Sequence, residues 1–363
     1  MKLQVTQENL SKALSSVARI ANTRNALPIL GNVLLKTVDG RLSVSATNLD
    51  IAITHYIGSK VAAEGATTVP ARLMQDFVSS LPSGVINLEL DENKLHINAD
   101  QYKSTINGVA ADDFPVMPAI SQGTTWEVPA SVLKKGLQQT VLAASADEAR
   151  PVLTGVYLHS HDNMLYMVAT DSYRLAEKAL IKHGGTVSLL VPASAMQDLL
   201  RILGDSDEPV HITHDDQQVL FRVNEVELVS RLIDGAYPDY RKLIPNQFEV
   251  TATLSRDDFT NITKVSSLFA RESAGSVTIK VDELTKQVSI NSIASQLGEN
   301  TASANAEVTG TGEVTLNSRY LLDALHVLAG DKVTFQFNGK LDPSLLSDPK
   351  TQDYKHIVMP LRS

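Results

Sequence analysis

Val69-Pro70-Ala71, running into RLMQDFVSSL over residues 72–81, returns twice in this chain. Val128-Pro129-Ala130 leads into SVLKKGLQQTVL, and Val191-Pro192-Ala193 leads into SAMQDLLRIL. An apolar or β-branched run precedes each copy, and apolar residues at helical spacing follow it. They are Leu133, Leu137 and Val141 in the second copy, and Met196, Leu199, Leu200 and Leu203 in the third. Proline suits the first turn of a helix, where its missing N–H costs nothing. Three more segments follow the plan without proline. Thr6 opens a pattern with Leu10, Leu14 and Val17, and Ser255 opens one with Phe259, Ile262 and Leu268. Asn317 and Ser318 open RYLLDALHVLAG, which ends on Gly330.

Six helices are therefore expected to begin near residues 6, 70, 129, 192, 255 and 317, spaced by 64, 59, 63, 63 and 62 residues. Between them apolar and polar residues alternate as in half-buried strands, for example Leu42-Ser43-Val44-Ser45-Ala46, Val85–Leu90 and Val333–Phe337. Turn dipeptides such as Asp39-Gly40 separate the runs. Each repeat reads as strand, helix, then about three strands.

A longer period pairs the repeats. Leu27–Leu35 followed by Ala46-Thr47-Asn48-Leu49-Asp50 matches Arg150–Leu158 followed by Ala169-Thr170-Asp171-Ser172-Tyr173-Arg174-Leu175, about 123 residues on. Asp113-Phe114-Pro115, Tyr237-Pro238-Asp239-Tyr240 and Val358-Met359-Pro360 close the three thirds alike. The expected fold is α+β, with three similar domains over 1–122, 123–246 and 247–363. A chance tandem of α+β domains is the blander alternative.

Length alone, 363 residues, calls for two or three domains. Apolar residues at 43% and charged residues at 20% suit a soluble globular protein. No cysteine is present, which excludes disulfides and cysteine-ligated metals and suits a reducing cytoplasm. MKLQVTQENL lacks the apolar run of a signal peptide, and no stretch is apolar enough for a membrane span. The net charge of −9 argues against a tight phosphate binder. Yet the six expected helices carry nine basic residues, Lys12, Arg19, Arg72, Lys134, Lys135, Arg201, Arg256, Lys264 and Arg319, against six acidic ones. The helices lean basic, and strands and loops carry the acidity.

Helix packing sets a size. At axis separations of about 8–10 Å, six helices in a circle leave roughly 8 Å clear, and twelve leave roughly 27 Å. A duplex about 20 Å across fits the second ring only. One chain cannot surround DNA, whereas a head-to-tail dimer, with helices lining the hole and sheets outside, can. An ordinary solvated helix face is the alternative reading of the same charges.

The residues resemble those of the bacterial sliding clamp, the β subunit of DNA polymerase III, over essentially the whole length. The resemblance rests on Leu27-Pro28-Ile29-Leu30-Gly31-Asn32, Ala66–Arg72, Ala169-Thr170-Asp171 with Arg174-Leu175, Asp234-Gly235, Tyr237–Arg241 and Val358-Met359-Pro360-Leu361-Arg362. It implies a homodimeric ring that slides on duplex DNA without sequence preference, tethers polymerase and performs no catalysis. It implies no cofactor, and a cytoplasmic location on the nucleoid during replication. One pocket per protomer would receive short apolar motifs from the clamp loader, the replicative polymerase α subunit, translesion polymerases and mismatch-repair proteins.

Carried onto this sequence, that pocket is Leu153, Thr170, Ser172, Tyr173, Arg174, Leu175, Pro238, Lys242, Leu243, Asn317, Tyr320, Val358, Met359, Pro360 and Leu361. DNA contacts would come from Lys12, Arg19, Arg72, Lys134, Lys135, Arg201 and Lys264, with Arg24 and Arg150 on loops. Ile106, on an edge strand, and Leu268, at a helix end, are the candidates for the ring joint, with burial in the core as the competing reading. For Met359 and Leu361, burial as a terminal strand is the competing reading; for Arg24 and Arg150 it is a structural ion pair. Tyr173 stands where many clamps have histidine, and Ser363 extends past the terminal arginine. Leu341–Gln352, rich in Pro, Asp and Ser, reads as a loop near the pocket.

Two rivals remain. His159-Ser160-His161-Asp162, and His211 with His214-Asp215-Asp216, could pose as metal strings, but both read as exposed hairpin turns. Asp112-Asp113 reads as a domain terminus, and no nucleophile elbow or phosphate-binding glycine loop is present. The other rival is a monomeric β-rich adaptor that binds peptides and never encloses DNA.

Overall fold

A computed structural model describes residues 1–21, 27–120, 122–205, 208–294 and 298–361. The strand–helix–three-strand plan appears six times. The first repeat is β1 (Lys2–Thr6), α1 (Gln7–Val17), β2 (Asn32–Val38), β3 (Arg41–Thr47) and β4 (Ile51–Gly58), with a short added strand, β5 (Lys60–Ala63). The second is β6 (Ala66–Pro70), α2 (Ala71–Ser80), β7 (Val85–Asp91), β8 (Lys94–Ala99) and β9 (Tyr102–Asn107). The third is β10 (Thr124–Pro129), α3 (Ala130–Thr140), β11 (Gly155–His161), β12 (Met164–Thr170) and β13 (Arg174–Lys182). The fourth is β14 (Ser188–Pro192), α4 (Ala193–Leu203), β15 (Pro209–His214), β16 (Gln218–Val223) and β17 (Val226–Arg231). The fifth is β18 (Val250–Ser255), α5 (Arg256–Phe269), β19 (Ser276–Asp282), β20 (Gln287–Ala294) and β21 (Gly298–Thr309). The sixth is β22 (Gly312–Asn317), α6 (Ser318–Val327), β23 (Lys332–Phe337), β24 (Ser344–Ser347) and β25 (Tyr354–Val358).

Each helix starts one residue after its expected opening residue, which serves as the cap of α1, α2, α5 and α6. The three openings without proline use a side chain: Thr6 accepts from the N–H of Asn9, Ser255 from that of Asp258 and Asn317 from that of Arg319. The proline differs from expectation. Pro70, Pro129 and Pro192 are the last residues of β6, β10 and β14, not members of the first helical turn. Pro70 occupies the cap with φ −55°, an angle its ring imposes in any case.

Two compact units divide the chain: Met1–Ser131 with Gln197–Leu232, and Val132–Met196 with Ile233–Ser363. The first holds a five-stranded sheet, β5-β1-β7-β8-β9, and an eight-stranded one, β10-β15-β16-β17-β4-β3-β2-β6. Here α1 packs on β3, β4 and α2, burying Leu10, Ala13, Leu14 and Val17. The second holds a twelve-stranded sheet, β14-β11-β12-β13-β25-β24-β23-β18-β21-β20-β19-β22. Here α5 packs on β20, β21 and α6. Sequence-distant halves join by antiparallel pairing at corresponding places. In the first unit β17 pairs β4 (Leu228 opposite Ile53), and in the second β25 pairs β13 (Val358 opposite Arg174).

Three expectations need correction. Leu341–Gln352 is not all loop, because Ser344–Ser347 forms β24 between β23 and β25. Leu-Leu at 345–346 supplies apolar side chains for the sheet despite the polar flanks. Arg19 lies beyond α1, which ends at Val17. The buried stripe of α5 is Phe259, Thr260, Thr263 and Ser266, while Leu268 is 52% exposed. Thr260 and Thr263 donate to the carbonyls four residues back, which satisfies their hydroxyls and lets them be buried.

Candidate functional site

All fifteen residues of the expected pocket fall in the second compact unit. The turn from β12 to β13 ties itself together with side chains. Thr170 Oγ1 donates to the carbonyl of Arg174 (2.6 Å) and accepts from the N–H of Ser172 (3.2 Å). Asp171 Oδ1 accepts from the N–H groups of Tyr173 and Arg174, both at 2.8 Å. Closing the turn puts Ser172 at φ +78°, in the left-handed region, and leaves Tyr173 58% exposed. Arg174 is clamped: Nε meets Asp171 at 3.1 Å, a terminal nitrogen meets Asp323 at 2.5 Å, and the guanidinium lies 4.5 Å from the ring centroid of Tyr320.

The end of the chain is stitched onto this turn. Val358 is buried opposite Arg174, the Met359 N–H donates to the Tyr173 carbonyl (2.8 Å), and the Leu361 N–H donates to the Thr315 carbonyl (2.8 Å). Met359, Pro360 and Leu361 are half-buried, so only Val358 follows the terminal-strand reading fully. Asn317 caps α6 and donates from Nδ2 to the Ala274 carbonyl (3.2 Å), which fixes the helix start carrying Tyr320.

Beneath lies an aromatic floor. Val168, Leu175, Tyr240, Leu345 and Ile357 form a buried cluster, with Tyr157, Tyr166, Tyr237, Ile244, Phe248 and Met359 packed against it. Tyr237 stacks on Tyr157 at 4.8 Å, and Tyr157 on His159 at 4.7 Å. The Tyr240 hydroxyl donates to Glu177 at 2.6 Å. With that hydrogen committed, Nε2–H of His159 donates to the phenol oxygen at 2.8 Å. Burial, then the nearby Arg241, lowers the His159 pKa and keeps the ring neutral. Burial also pushes the phenols of Tyr237 and Tyr240 up, so both stay protonated. Arg241 reaches Glu177 at 3.7 Å and lies over Tyr166.

This network holds the short turn Tyr240–Leu243, from which Leu243 stands 47% exposed and Lys242 pairs with Asp239 at 2.7 Å. Gly235 has φ +125°, and a Cβ there would sit 2.7 Å from Val152, so glycine lets the chain before Tyr237 pass close to the turn carrying Leu153. Sequence reasoning missed Asp171, Asp323 and Tyr237 as site members, although Asp171 and Tyr237 lie inside quoted motifs. No sequence signal linked Asp323 to Arg174, 149 residues away.

The expected DNA residues are scattered differently. Lys12, Arg19 and Arg201 line one groove of about 850 Å³ in the first unit. Arg72 and Lys264 are exposed, Lys134 and Lys135 half-buried. Arg150 bonds Ser172 (3.0 Å), in the turn from β12 to β13, and Asp147 (3.4 Å). Arg24 lies outside the described residues. Ile106 is 6% exposed on β9, an edge strand of the five-stranded sheet.

His159 is not in an exposed turn, as the sequence suggested, but buried in β11. His211 and His214 lie on β15 rather than in a turn. No cluster of three histidine, aspartate or glutamate side chains fit to hold a metal occurs among the described residues.

Three family descriptions match the chain in order: the DNA polymerase III beta subunit N-terminal domain over residues 1–118, its central domain over 127–239 and its C-terminal domain over 241–362. The chain belongs to the bacterial β sliding clamp family. As a sliding clamp it is a processivity factor in DNA replication, a non-catalytic accessory subunit of DNA polymerase III. It is 32% identical to the beta sliding clamp of Synechococcus elongatus over 375 residues, covering all of this chain and 99% of that protein. Identity to the Bacillus subtilis clamp is 29% over 377 residues, with both chains covered in full. The crystal structure of the Bacillus subtilis clamp superposes with a TM-score of 0.95 at 28% identity, covering 100% of this chain and 99% of that one. A Pseudomonas aeruginosa clamp bound to griselimycin gives 0.95 at 26%, with both chains covered in full. No described helix is long and apolar enough to cross a membrane.

Proposed function

We propose that this clamp closes as a head-to-tail homodimer around duplex DNA and holds its partners through the surface at Thr170–Leu175, Pro238–Leu243 and Val358–Leu361. One observation carries the peptide reading: an exposed Tyr173 is bonded to half-buried Met359, which packs on the aromatic floor, with Arg174 clamped beside them. Short apolar motifs need that combination of apolar pockets and a few fixed polar groups. The griselimycin complex of the Pseudomonas aeruginosa clamp agrees with a ligand-binding surface on this fold. Clamp loader, the replicative polymerase α subunit, translesion polymerases and mismatch-repair proteins are the proposed occupants. The cytoplasm, on the nucleoid during replication, is the proposed location. Domains over 1–122, 123–246 and 247–363 are the proposed divisions, the middle one contributing strands to both compact units.

Ring closure draws support from two open edges. In the first unit β9 pairs, among the described residues, with β8 alone. In the second, Gly298–Asn305 of β21 pairs with β20 while β18 covers only Ala306–Thr309. Unpaired edges of this kind accept a strand from another copy. Leu268 and Val265, at 52% and 45% exposure, stand on α5, which packs on β21, and Leu73, at 54%, stands on α2. A second chain seated on these edges would cover such side chains as well.

The test of the pocket is removal of Met359–Ser363, followed by binding of polymerase peptide and measurement of mass in solution. Peptide binding is expected to vanish with the dimer intact. Retained affinity overturns the assignment.

A further inference from the structure

Glu177 lies on β13, two residues past Leu175, where the first segment of the proposed peptide surface ends. It is 4% exposed. A carboxylate withdrawn this far from water needs partners to replace its hydration. Those partners come from the other two segments. The Tyr240 hydroxyl donates to Oε2 at 2.6 Å, and a terminal nitrogen of Arg241 stands 3.7 Å from the same oxygen. Lys355, opposite Glu177 on β25 and three residues before Val358, stands 3.7 Å from Oε1.

The segments are not held alike. Leu175 and Val358 belong to neighbouring strands, paired by backbone hydrogen bonds. Tyr240–Leu243 is a short turn outside the sheets, so side chains must place it. Tyr240 and Arg241 meet Glu177, Tyr240 also accepts from His159 at 2.8 Å, and Arg241 lies 4.6 Å from the ring centroid of Tyr166. Lys178, the next residue on β13, is as deeply buried at 2% but faces the other side of the sheet. There it pairs with Asp353, outside all three segments.

We propose that Glu177 is a positioning residue for partner binding, a role that rests on the peptide surface proposed above. From beneath that surface one carboxylate fixes its three segments relative to one another. A partner peptide then meets a surface already ordered and loses less of its binding energy to ordering it. The turn carrying Lys242 and Leu243 depends on Glu177 most, because no strand pairing holds it.

The experiment measures, on full-length protein, the affinity for a labelled peptide from the replicative polymerase α subunit, with a urea midpoint for every variant. Glu177→Ala is expected to bind about tenfold more weakly, and Glu177→Gln, which keeps an oxygen for the Tyr240 hydroxyl, to recover most of that loss. Tyr240→Phe keeps the ring in its cluster and removes the same bond. It is expected to weaken binding about fivefold, and it carries the test if the alanine variant does not fold. Leu243→Ala should weaken the wild type but add little on top of Glu177→Ala or Tyr240→Phe, because the turn is already displaced. Lys178→Leu should lower the urea midpoint and leave affinity within about twofold of wild type. Wild-type affinity in Glu177→Ala and Tyr240→Phe, or an equal loss in Lys178→Leu, overturns the role. Removal of Met359–Ser363 is measured alongside. A truncated protein that keeps the peptide removes the surface and the positioning role with it. Loss in the truncation with full affinity in Glu177→Ala and Tyr240→Phe removes the role alone.

Discussion

Leu49 and Ser172, 123 residues apart, hold the same left-handed backbone, with φ of +80° and +78°. The turns around them are the same device. Thr47 Oγ1 donates to the Ile51 carbonyl at 2.9 Å as Thr170 Oγ1 donates to that of Arg174 at 2.6 Å. Asn48 Oδ1 accepts from the N–H groups of Asp50 and Ile51 as Asp171 Oδ1 does from Tyr173 and Arg174. One turn design thus recurs at two places, and the second stands over the aromatic floor, which takes Leu175.

A β-branched residue at either position strains that backbone. Leu49→Val and Ser172→Val are each expected to lower the urea midpoint, because β-branching adds crowding to a left-handed backbone that Leu and Ser already occupy. Only Ser172→Val should also weaken polymerase peptide, by roughly tenfold, through movement of Tyr173 and Arg174. Equal loss of peptide affinity in both variants contradicts the placement of the site.

The ring-joint candidates separate by burial. Ile106, opposite Leu95 on β8 and 6% exposed, is core, so Ile106→Ala should cost about 2–5 kcal/mol of stability. Leu268, on the surface of α5, should tolerate Leu268→Asp in folding but yield monomers by light scattering. A dimeric Leu268→Asp protein moves the joint elsewhere.

Most of the architecture was legible because the repeat is carried by local signals: a strand-closing proline or a Thr, Ser or Asn cap, then apolar residues at helical spacing. Pairings between distant strands were not legible. Nothing local in Val226–Arg231 announces β4 as its neighbour, and nothing in Tyr354–Val358 announces β13. Polar residues also misled. Thr260 and Thr263 are buried because they back-bond within α5, and His159 is buried because Tyr240 and two stacked tyrosines receive it. The proposed peptide surface came from family motifs. Its clamp, Arg174 with Asp323 and Tyr320, came only from the folded chain.

Acid should loosen the fold through buried histidines. Burial lowers His55 to about 4 and His356 to about 3, from an ordinary 6.5. The unfolded chain therefore takes up protons first, and stability is full above about pH 6.5 and falls as pH drops toward those values. Each histidine contributes a slope of about 1.4 kcal/mol per pH unit within its window. His55→Leu should remove one such share between pH 6.5 and 4 in urea titrations run across pH. An unchanged slope shows that His55 charges freely in the folded state.

A closed ring is held on DNA by topology, so the deciding experiment is retention on nicked circular DNA before and after linearisation, with clamp loader and ATP supplied and the mass in solution taken by light scattering. A dimer of two 39.3 kDa chains that stays on the circle and runs off the linear form is expected. A monomer, or retention indifferent to DNA ends, contradicts it.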